Sequence, residues 1–409
     1  MQVTLLTRYF PPEIGTAANL FYDLARALAK DGHEVTVITG FPWYNLKEVP
    51  EKYKGKISMQ EQMHGFKVKR LSMPVFGPHK LKLALGHLTA PLAAVLSGTY
   101  VSKPDIFFAY SPPLPFGVAG WFLKKVKRAP FIMGVQDLHP QCYIDQGVLK
   151  NKSFIKILEG LERFCYRKSS AITVHSTGNK AHIVEKKSIA SEKVRVLPNW
   201  IDTEEIKPLP RQNYFSKKHN LNERFVVGYA GTLGMSQGLM SVVDAAYLLR
   251  NRNDIEFFIV GDGIEKEKMI QRAKELKIDH IRFLPMQPKS VYPYVVASCD
   301  VGLVTLNSKV KTPVVPSKIL SMMAAARPVL ASMPLDGGAP DLIRRAGCGV
   351  SVPPEDSEAI AGAIVDLADN PDKREQFVKQ GREFVEQEMS LKKVAADLEK
   401  LFKEISGKA

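Results

Sequence analysis

Cysteine is scarce in this chain. Its 409 residues include only Cys142, Cys165, Cys299 and Cys348. They are widely spaced, with no C-x-x-C pair and no histidine cluster beside them. That spacing argues against a disulfide framework or a zinc site and for a reducing compartment. Asp-x-Asp and His-Glu-x-x-His are both missing, and no clustered ligands replace them, so no metal site is expected. No low-complexity tract, collagen period or heptad array occurs. Disorder as the main state is excluded, because apolar residues make up 45 % of the chain and suffice for a core. Residues 1–7 lack the basic start and long apolar run of a signal peptide.

Acidic residues are also few, but unevenly so. Residues 1–200 hold 28 Lys+Arg against 14 Asp+Glu, whereas the remainder holds 29 against 28. The first half therefore carries nearly all of the net charge of +15. Basic clusters include Lys52/Lys54/Lys56, Lys67/Lys69/Arg70, Lys80/Lys82 and Lys124/Lys125/Lys127/Arg128. Such asymmetry suggests an anionic partner, with membrane lipid favoured over nucleic acid because no nucleic-acid-reading module is present. Residues 83–102 and 106–123 carry no formal charge and approach the length of a membrane span. Gly86, His87, Pro91 and Gly98 in the first, and Pro112, Pro113 and Pro115 in the second, favour a buried helix followed by a strand and loop.

The length suggests two domains, and the hydrophobic pattern repeats accordingly. Strands are expected at 2–7, 35–39, 67–72, 106–110, 131–135, 171–175 and 194–197. They alternate with helical segments such as 17–30, where Leu20, Leu24 and Leu28 share a face. The pattern restarts with strands at 225–230, 256–260, 281–284, 301–305, 329–332 and 349–352. Helices are expected at 239–250, 356–368, 372–388 and 391–403. This alternation predicts two α/β domains, each a doubly wound parallel sheet covered by helices. Ligands of such sheets bind at the carboxyl ends of the strands, so a cleft between facing domains is the expected site.

Seven segments, in order along nearly the whole chain, carry a resemblance. They are Tyr9-Phe10-Pro11-Pro12-Glu13-Ile14-Gly15, Val135-Gln136-Asp137-Leu138-His139-Pro140, Val196-Leu197-Pro198-Asn199-Trp200-Ile201-Asp202, the run 229–238, Val260-Gly261-Asp262-Gly263, Pro316-Ser317-Lys318-Ile319-Leu320 and Asp336-Gly337-Gly338-Ala339-Pro340-Asp341. The ordered set resembles glycosyltransferases of family four, with the GT-B architecture of two Rossmann-like domains facing a cleft. The closest likeness is to the branch of exopolysaccharide, colanic-acid and O-antigen clusters, which includes fucosamine transferases. The resemblance implies an acceptor-binding domain over 1–202, a nucleotide-sugar-binding domain over 203–388, and a last helix, 389–409, packing back on the first domain.

Small residues between a strand and a helix N-terminus let backbone N–H groups approach phosphate. Gly15 and Thr16 form one such turn. Gly231, Thr232, Leu233 and Gly234, opening the helix of the second domain, form the better candidate. Many relatives place an Arg after the first glycine and a Lys before the last, where this chain has Thr232 and Gln237. Phosphate binding then falls to backbone dipoles and to Lys318, which with Ser317 precedes an apolar helix. A cation facing a departing diphosphate stabilises developing charge. The family's two-glutamate motif is missing, with Pro313 and Ser321 at its positions. Ser321 would hydrogen-bond the donor ribose more weakly than a carboxylate. The resemblance also assigns donor contacts to Gly261 and Gly263, and the nucleotide base to the segment ending at Met286. In the first domain Gln136 stands where many relatives carry His. Asp137 and His139 are then the candidates for orienting the acceptor hydroxyl or polarising the sugar, and His175 could line the same site.

The resemblance implies a retaining glycosyltransferase, and the missing acidic pair a metal-independent one. It would move a sugar from a nucleotide-diphosphate sugar, UDP preferred, to a lipid-linked or glycan acceptor in surface polysaccharide biosynthesis. No separate cofactor is expected. The basic first half and the apolar stretch 81–96 suggest a cytoplasmic protein held at the inner membrane face. The sequence leaves two alternatives. One is a non-catalytic binding protein that keeps the fold. The other is an NAD-dependent epimerase or oxidoreductase, which Arg8 to Thr16 does not favour because they lack Gly-x-Gly-x-x-Gly.

Overall fold

The computed structural model describes all residues except 14, 44, 45, 47, 73–78, 222, 312 and 409, and for 79–88 only the backbone. The chain divides into two compact units, Met1–Asn199 with Leu391–Ala409, and Trp200–Ser390.

The strands of the first unit are β1 (Gln2–Leu6), β2 (Glu34–Gly40), β3 (Ser58–Met63), β4 (Phe66–Leu71), β5 (Ile106–Ser111), β6 (Phe131–Val135), β7 (Ala171–Val174) and β8 (Val194–Val196). They form one sheet in the order β3-β4-β2-β1-β5-β6-β7-β8. Every pair is parallel except β3 with β4. Central strands such as β5 and β6 are buried at every position, as continuous apolar runs covered on both faces should be. β3 was not anticipated from sequence. It is a polar hairpin partner at the sheet edge, half-exposed along its length, so its apolar signal is weak.

Helices of this unit are α1 (Thr16–Lys30), α2 (His79–Thr99), α3 (Phe116–Lys127), α4 (Gln141–Asp145), α5 (Lys152–Lys168) and α6 (Thr177–Ala181). α1 buries Leu20, Leu24 and Leu28, and the chain turns out of it at Gly32, whose φ of 87° suits glycine. One face of the sheet is covered by α2, α3 and α5 around Ala93, Phe116, Leu123 and Cys165. Gly98 and Gly117 allow this close packing, since a Cβ there would meet Leu123 at 2.6 Å and Cys165 at 2.6 Å. On the opposite face Phe21 of α1 stacks on Phe108, 5.6 Å between ring centres. Phe402 of the C-terminal helix packs against the same Phe108 at 5.7 Å.

In the second unit the strands are β9 (Phe225–Ala230), β10 (Ile255–Val260), β11 (Ile281–Leu284), β12 (Val301–Thr305), β13 (Val329–Ser332) and β14 (Gly349–Val352). All pairs are parallel, in the order β11-β10-β9-β12-β13-β14. The helices are α7 (Tyr214–Lys218), α8 (Met240–Leu248), α9 (Lys266–Glu275), α10 (Tyr292–Ala297), α11 (Ser317–Ala324), α12 (Gly338–Ala346), α13 (Ser357–Asp369) and α14 (Pro371–Glu388). The last helix of the chain, α15 (Leu391–Ser406), belongs to the first unit. Strand alternation sorts the core of the second unit into two layers. Val226 and Ala230 face one cluster with α11 and α12. Val227 and Tyr229 face another with α8 and α13.

Each sheet reverses its strand order once near its centre. In the first unit this happens between β1 and β5, in the second between β9 and β12. The carboxyl ends beside these points are where α/β sheets open a crevice for ligands.

Candidate active site

In the second unit the switch point gathers three loops. The loop after β9 begins at Gly231, whose N–H donates to the Val260 carbonyl at 2.9 Å. Gly261 lies directly on it: a Cβ at position 261 would collide with the Gly231 carbonyl oxygen. Gly263 is crowded in the same way by the Leu233 backbone, and its φ of 152° also requires glycine. These glycines are therefore needed for two backbones to touch. The Leu233 side chain is fully buried, and its N–H is spent on the Asp262 carbonyl at 2.9 Å. The Gly234 N–H is taken by Gln237 Oε1 at 3.1 Å. The loop satisfies itself, so the amides of Gly231, Leu233 and Gly234 are not free donors for phosphate in this conformation.

Nor does Gly231 open the helix directly. A single 3₁₀ turn, Met235–Gln237, intervenes, and α8 starts only at Met240. Gly238, at φ 61°, breaks the path between them. Asn307, after β12, pins this turn by donating its side-chain N–H to Met235 and its backbone N–H to Ser236, both at 2.8 Å. The neighbouring Ser308 donates its hydroxyl to Glu355 at 2.6 Å.

Lys318, in the first turn of α11, completes the group. Its side chain packs so closely on Gly231 that a Cβ there would strike it. Its Nζ sits 5.1 Å from the centre of the Tyr229 ring, and the Tyr229 hydroxyl donates to the Thr232 carbonyl at 2.8 Å. Burial pushes the Lys318 pKa down to about 8. The side chain is thus a partly desolvated cation lying over the glycine loop, where an anion would discharge the desolvation cost. Ser321 fits its expected role less well. It is 5 % exposed and donates its hydroxyl back to the Ser317 carbonyl at 3.3 Å. Its proton is therefore committed, and toward a ribose hydroxyl it is left as an acceptor. Met286 is exposed just beyond β11, and Thr232 is exposed on the loop.

The first unit presents a second cluster. Gly15 precedes α1, and beyond its chain neighbours no atom of the described residues lies within 4 Å of where its Cβ would stand. Thr16 is the first residue of that helix. Asp137 follows β6 and is half-buried. Desolvation raises its pKa above the usual carboxylate range. The buried Tyr110 phenol at the end of β5 is raised well above its ordinary value by burial, then by the charges of Asp137 and Tyr9. Asp137, Tyr110 and Tyr9 are therefore near neighbours at the carboxyl edge. The His139 ring stands edge-on to Tyr143, 4.6 Å between ring centres. His175, at the end of β7, is 7 % exposed and lies 3.1 Å from the Asn179 side-chain amide. Burial drives its pKa down to about 4, so it is a neutral imidazole at pH 7.

Sequence reasoning missed Tyr229, Asn307, Tyr110 and the pair Arg8–Glu13. Arg8 Nη1 meets Glu13 at 3.4 Å with both side chains buried. A charged residue immediately after an apolar strand was the available signal.

Comparison with known proteins fits this arrangement. The model of the glycosyl transferases group 1 matches residues 211–384, and that of Glycosyltransferase Family 4 matches residues 17–205. WcaI of Escherichia coli (strain K12), named as a colanic acid biosynthesis glycosyl transferase, is 25 % identical over 89 % of this chain and 91 % of its own. WbjE of Pseudomonas aeruginosa, also named as a glycosyltransferase, is 28 % identical over 58 % of this chain. That alignment spans 60 % of WbjE, less than two thirds of its length. The crystal structure of HepE from Anabaena, solved with UDP and glucose, superposes with a TM-score of 0.74 at 19 % identity, covering 98 % of this chain and 99 % of HepE. Two parallel-sheet units with this likeness define a glycosyltransferase of GT-B architecture. Within that class its first part carries a Glycosyltransferase Family 4 domain and its second a glycosyl transferases group 1 domain.

Proposed function

We propose that this enzyme is a retaining, metal-independent transferase that takes its sugar from a UDP-sugar and delivers it to a lipid-linked saccharide in surface polysaccharide synthesis. The observation that carries the donor reading is Lys318 packed on Gly231 at the β9/β12 switch point. A buried cation beside a helix N-terminus can neutralise a leaving diphosphate. The UDP and glucose held by HepE, and the colanic-acid role in the name of WcaI, support the substrate classes. In this reading the acceptor hydroxyl attacks the sugar face from which the nucleotide departs, and the leaving phosphate oxygen takes its proton. Asp137 orients the acceptor hydroxyl, Gly15 and Thr16 hold the approach open, and Lys318 stabilises the diphosphate. None of them forms a covalent intermediate.

The acceptor reading places the first unit on an anionic membrane at the inner face of the cell membrane. On the α2, α3 and α5 side of the sheet, Leu92, Leu96, Phe122, Val126, Phe154 and Ile157 are exposed. Lys124, Lys125 and Lys127 lie in the last turn of α3. Apolar side chains beside lysines suit insertion at a headgroup boundary. The side chains of 79–88, including Lys80, Lys82 and much of the stretch 81–96, lie outside the described residues. No helix among the described residues is long and apolar enough to cross a membrane.

The test is transfer of radiolabelled sugar from a panel of UDP-sugars to prenyl-diphosphate saccharides with EDTA present. An α-linked product from an α-linked donor supports the reading. Inversion, or activity only after metal is restored, would overturn those parts of it.

A further inference from the structure

Arg8 and Arg70 of the first unit are each 1 % exposed, and both hold the loop that follows β1. Arg70 is fully engaged. Its Nε donates to Glu61, its Nη1 to the Gly40 carbonyl and its Nη2 to the Pro11 carbonyl. Arg8 is not. Its Nη1 reaches Glu13 at 3.4 Å, and its guanidinium lies 5.5 Å from the Tyr9 ring centre and 5.1 Å from that of Trp43. Its Nη2 is buried without a hydrogen-bond partner among the described residues. The Glu13 carboxylate is shared, because it also accepts the N–H groups of Phe10 at 3.3 Å and Trp43 at 3.0 Å.

A buried charged donor left open is costly, and such groups in native structures call for a partner. The place matters as much as the vacancy on Nη2. Arg8 lies two residues past β1, one of the two strands that flank the switch point, where such sheets take their ligands. The same loop ends at Gly15 and the open start of α1. Asp137 and Tyr110 stand at the carboxyl ends of β6 and β5 in the same sheet.

We infer that Arg8 binds an anionic oxygen of the acceptor, a phosphate or a carboxylate, through Nη2. This rests on the transferase reading above and names the acceptor as acidic. A guanidinium N–H bonds an oxyanion about twice as strongly as it bonds the neutral hydroxyl of a sugar. At 1 % exposure the ligand reaches Arg8 only if the covering Tyr9 and Trp43 rings shift, so binding should change Trp43 emission.

The test saturates the protein with UDP, so that the donor site is filled, and titrates farnesyl diphosphate, glucuronate and glucose by calorimetry. Wild type is compared with Arg8→Lys and Arg8→Gln. One anionic probe should bind wild type and bind at least tenfold more weakly to Arg8→Gln, with Arg8→Lys between them. UDP affinity should stay within twofold in both variants. Binding of farnesyl diphosphate identifies a phosphate source, and binding of glucuronate a carboxylate source. Equal affinity across the three proteins, or glucose binding as well as the anions, overturns the proposal. Should Arg8→Gln fail to fold, Trp43 emission in a Trp121→Phe, Trp200→Phe background decides, and no change with either anion refutes it. Anions that fail while UDP binds sink this inference alone. Failure of wild type to bind UDP sinks the transferase reading with it.

Discussion

Replacing Lys318 by methionine should weaken UDP binding and stabilise the fold together. The methionine keeps most of the length that packs on Gly231 and removes the charge. A lost charge-assisted contact to diphosphate costs about 1.5–3 kcal/mol, or roughly 10- to 150-fold in affinity. Stability moves the other way. Burial lowers the Lys318 pKa from 10.5 to about 8, so the unfolded chain binds more protons than the folded one between those values. Wild-type stability therefore rises with pH through that window, and the charged lysine is a cost below it. At pH 7 that cost is at most about 3 kcal/mol, so the variant should melt several degrees higher, by an amount that shrinks towards pH 10. Affinity carries a matching signature. UDP binds the protonated lysine, so wild-type affinity should fall about tenfold between pH 7 and pH 9. That range lies above the phosphate's own ionisation near about 6. Calorimetry at four pH values, paired with thermal melts, reads both effects. An unchanged pH slope in the variant, or a lower melting temperature at pH 7, would refute the reasoning.

Asp137→Asn should lower kcat by about 10²-fold, as misplacing the attacking hydroxyl does. UDP affinity should stay within twofold, because the donor reading rests on Gly231 and Lys318 and not on Asp137. The acid limb of the wild-type pH–rate profile should lie above the ordinary carboxylate range, since burial raises the Asp137 pKa. Gly261→Ala should both destabilise the second unit and abolish measurable UDP binding, because the new methyl meets backbone, the Gly231 carbonyl. Gly15→Ala should melt like wild type, since its position opens on free space, and melting curves separate the two. Changing the exposed Lys125 and Arg128 together to Gln should reduce pull-down on anionic liposomes by about 30-fold, at ~1 kcal/mol per charge, whereas Lys124 and Lys127 are held by Ser170 and by the Thr99 and Val101 carbonyls. Equal binding to neutral and anionic vesicles would remove the electrostatic part of the membrane reading.

The sheets were largely legible because buried parallel strands read as apolar runs. β6, β9, β11, β12, β13 and β14 fall where the sequence places them. β3 was not, because its burial alternates between half-buried and exposed along a polar segment. The site was legible in part. Gly231, Gly261, Gly263 and Lys318 do come together, and their residue types announced it. What those groups do with their hydrogen bonds was hidden. Periodicity gives no sign that the Leu233 and Gly234 amides are consumed within the loop, or that Ser321 turns back to Ser317. The Arg8–Glu13–Trp43 contacts join residues up to 35 positions apart through a folded loop. Only the sheet order sets Arg8 beside the switch point.

The central claim, a nucleotide-sugar site built on Gly231 and Lys318, is tested most directly by calorimetric titration of the wild-type protein with UDP, GDP, dTDP and NAD in the presence of EDTA. The account predicts binding of UDP in preference to the other three. Binding of NAD alone, or of no nucleotide, would contradict it.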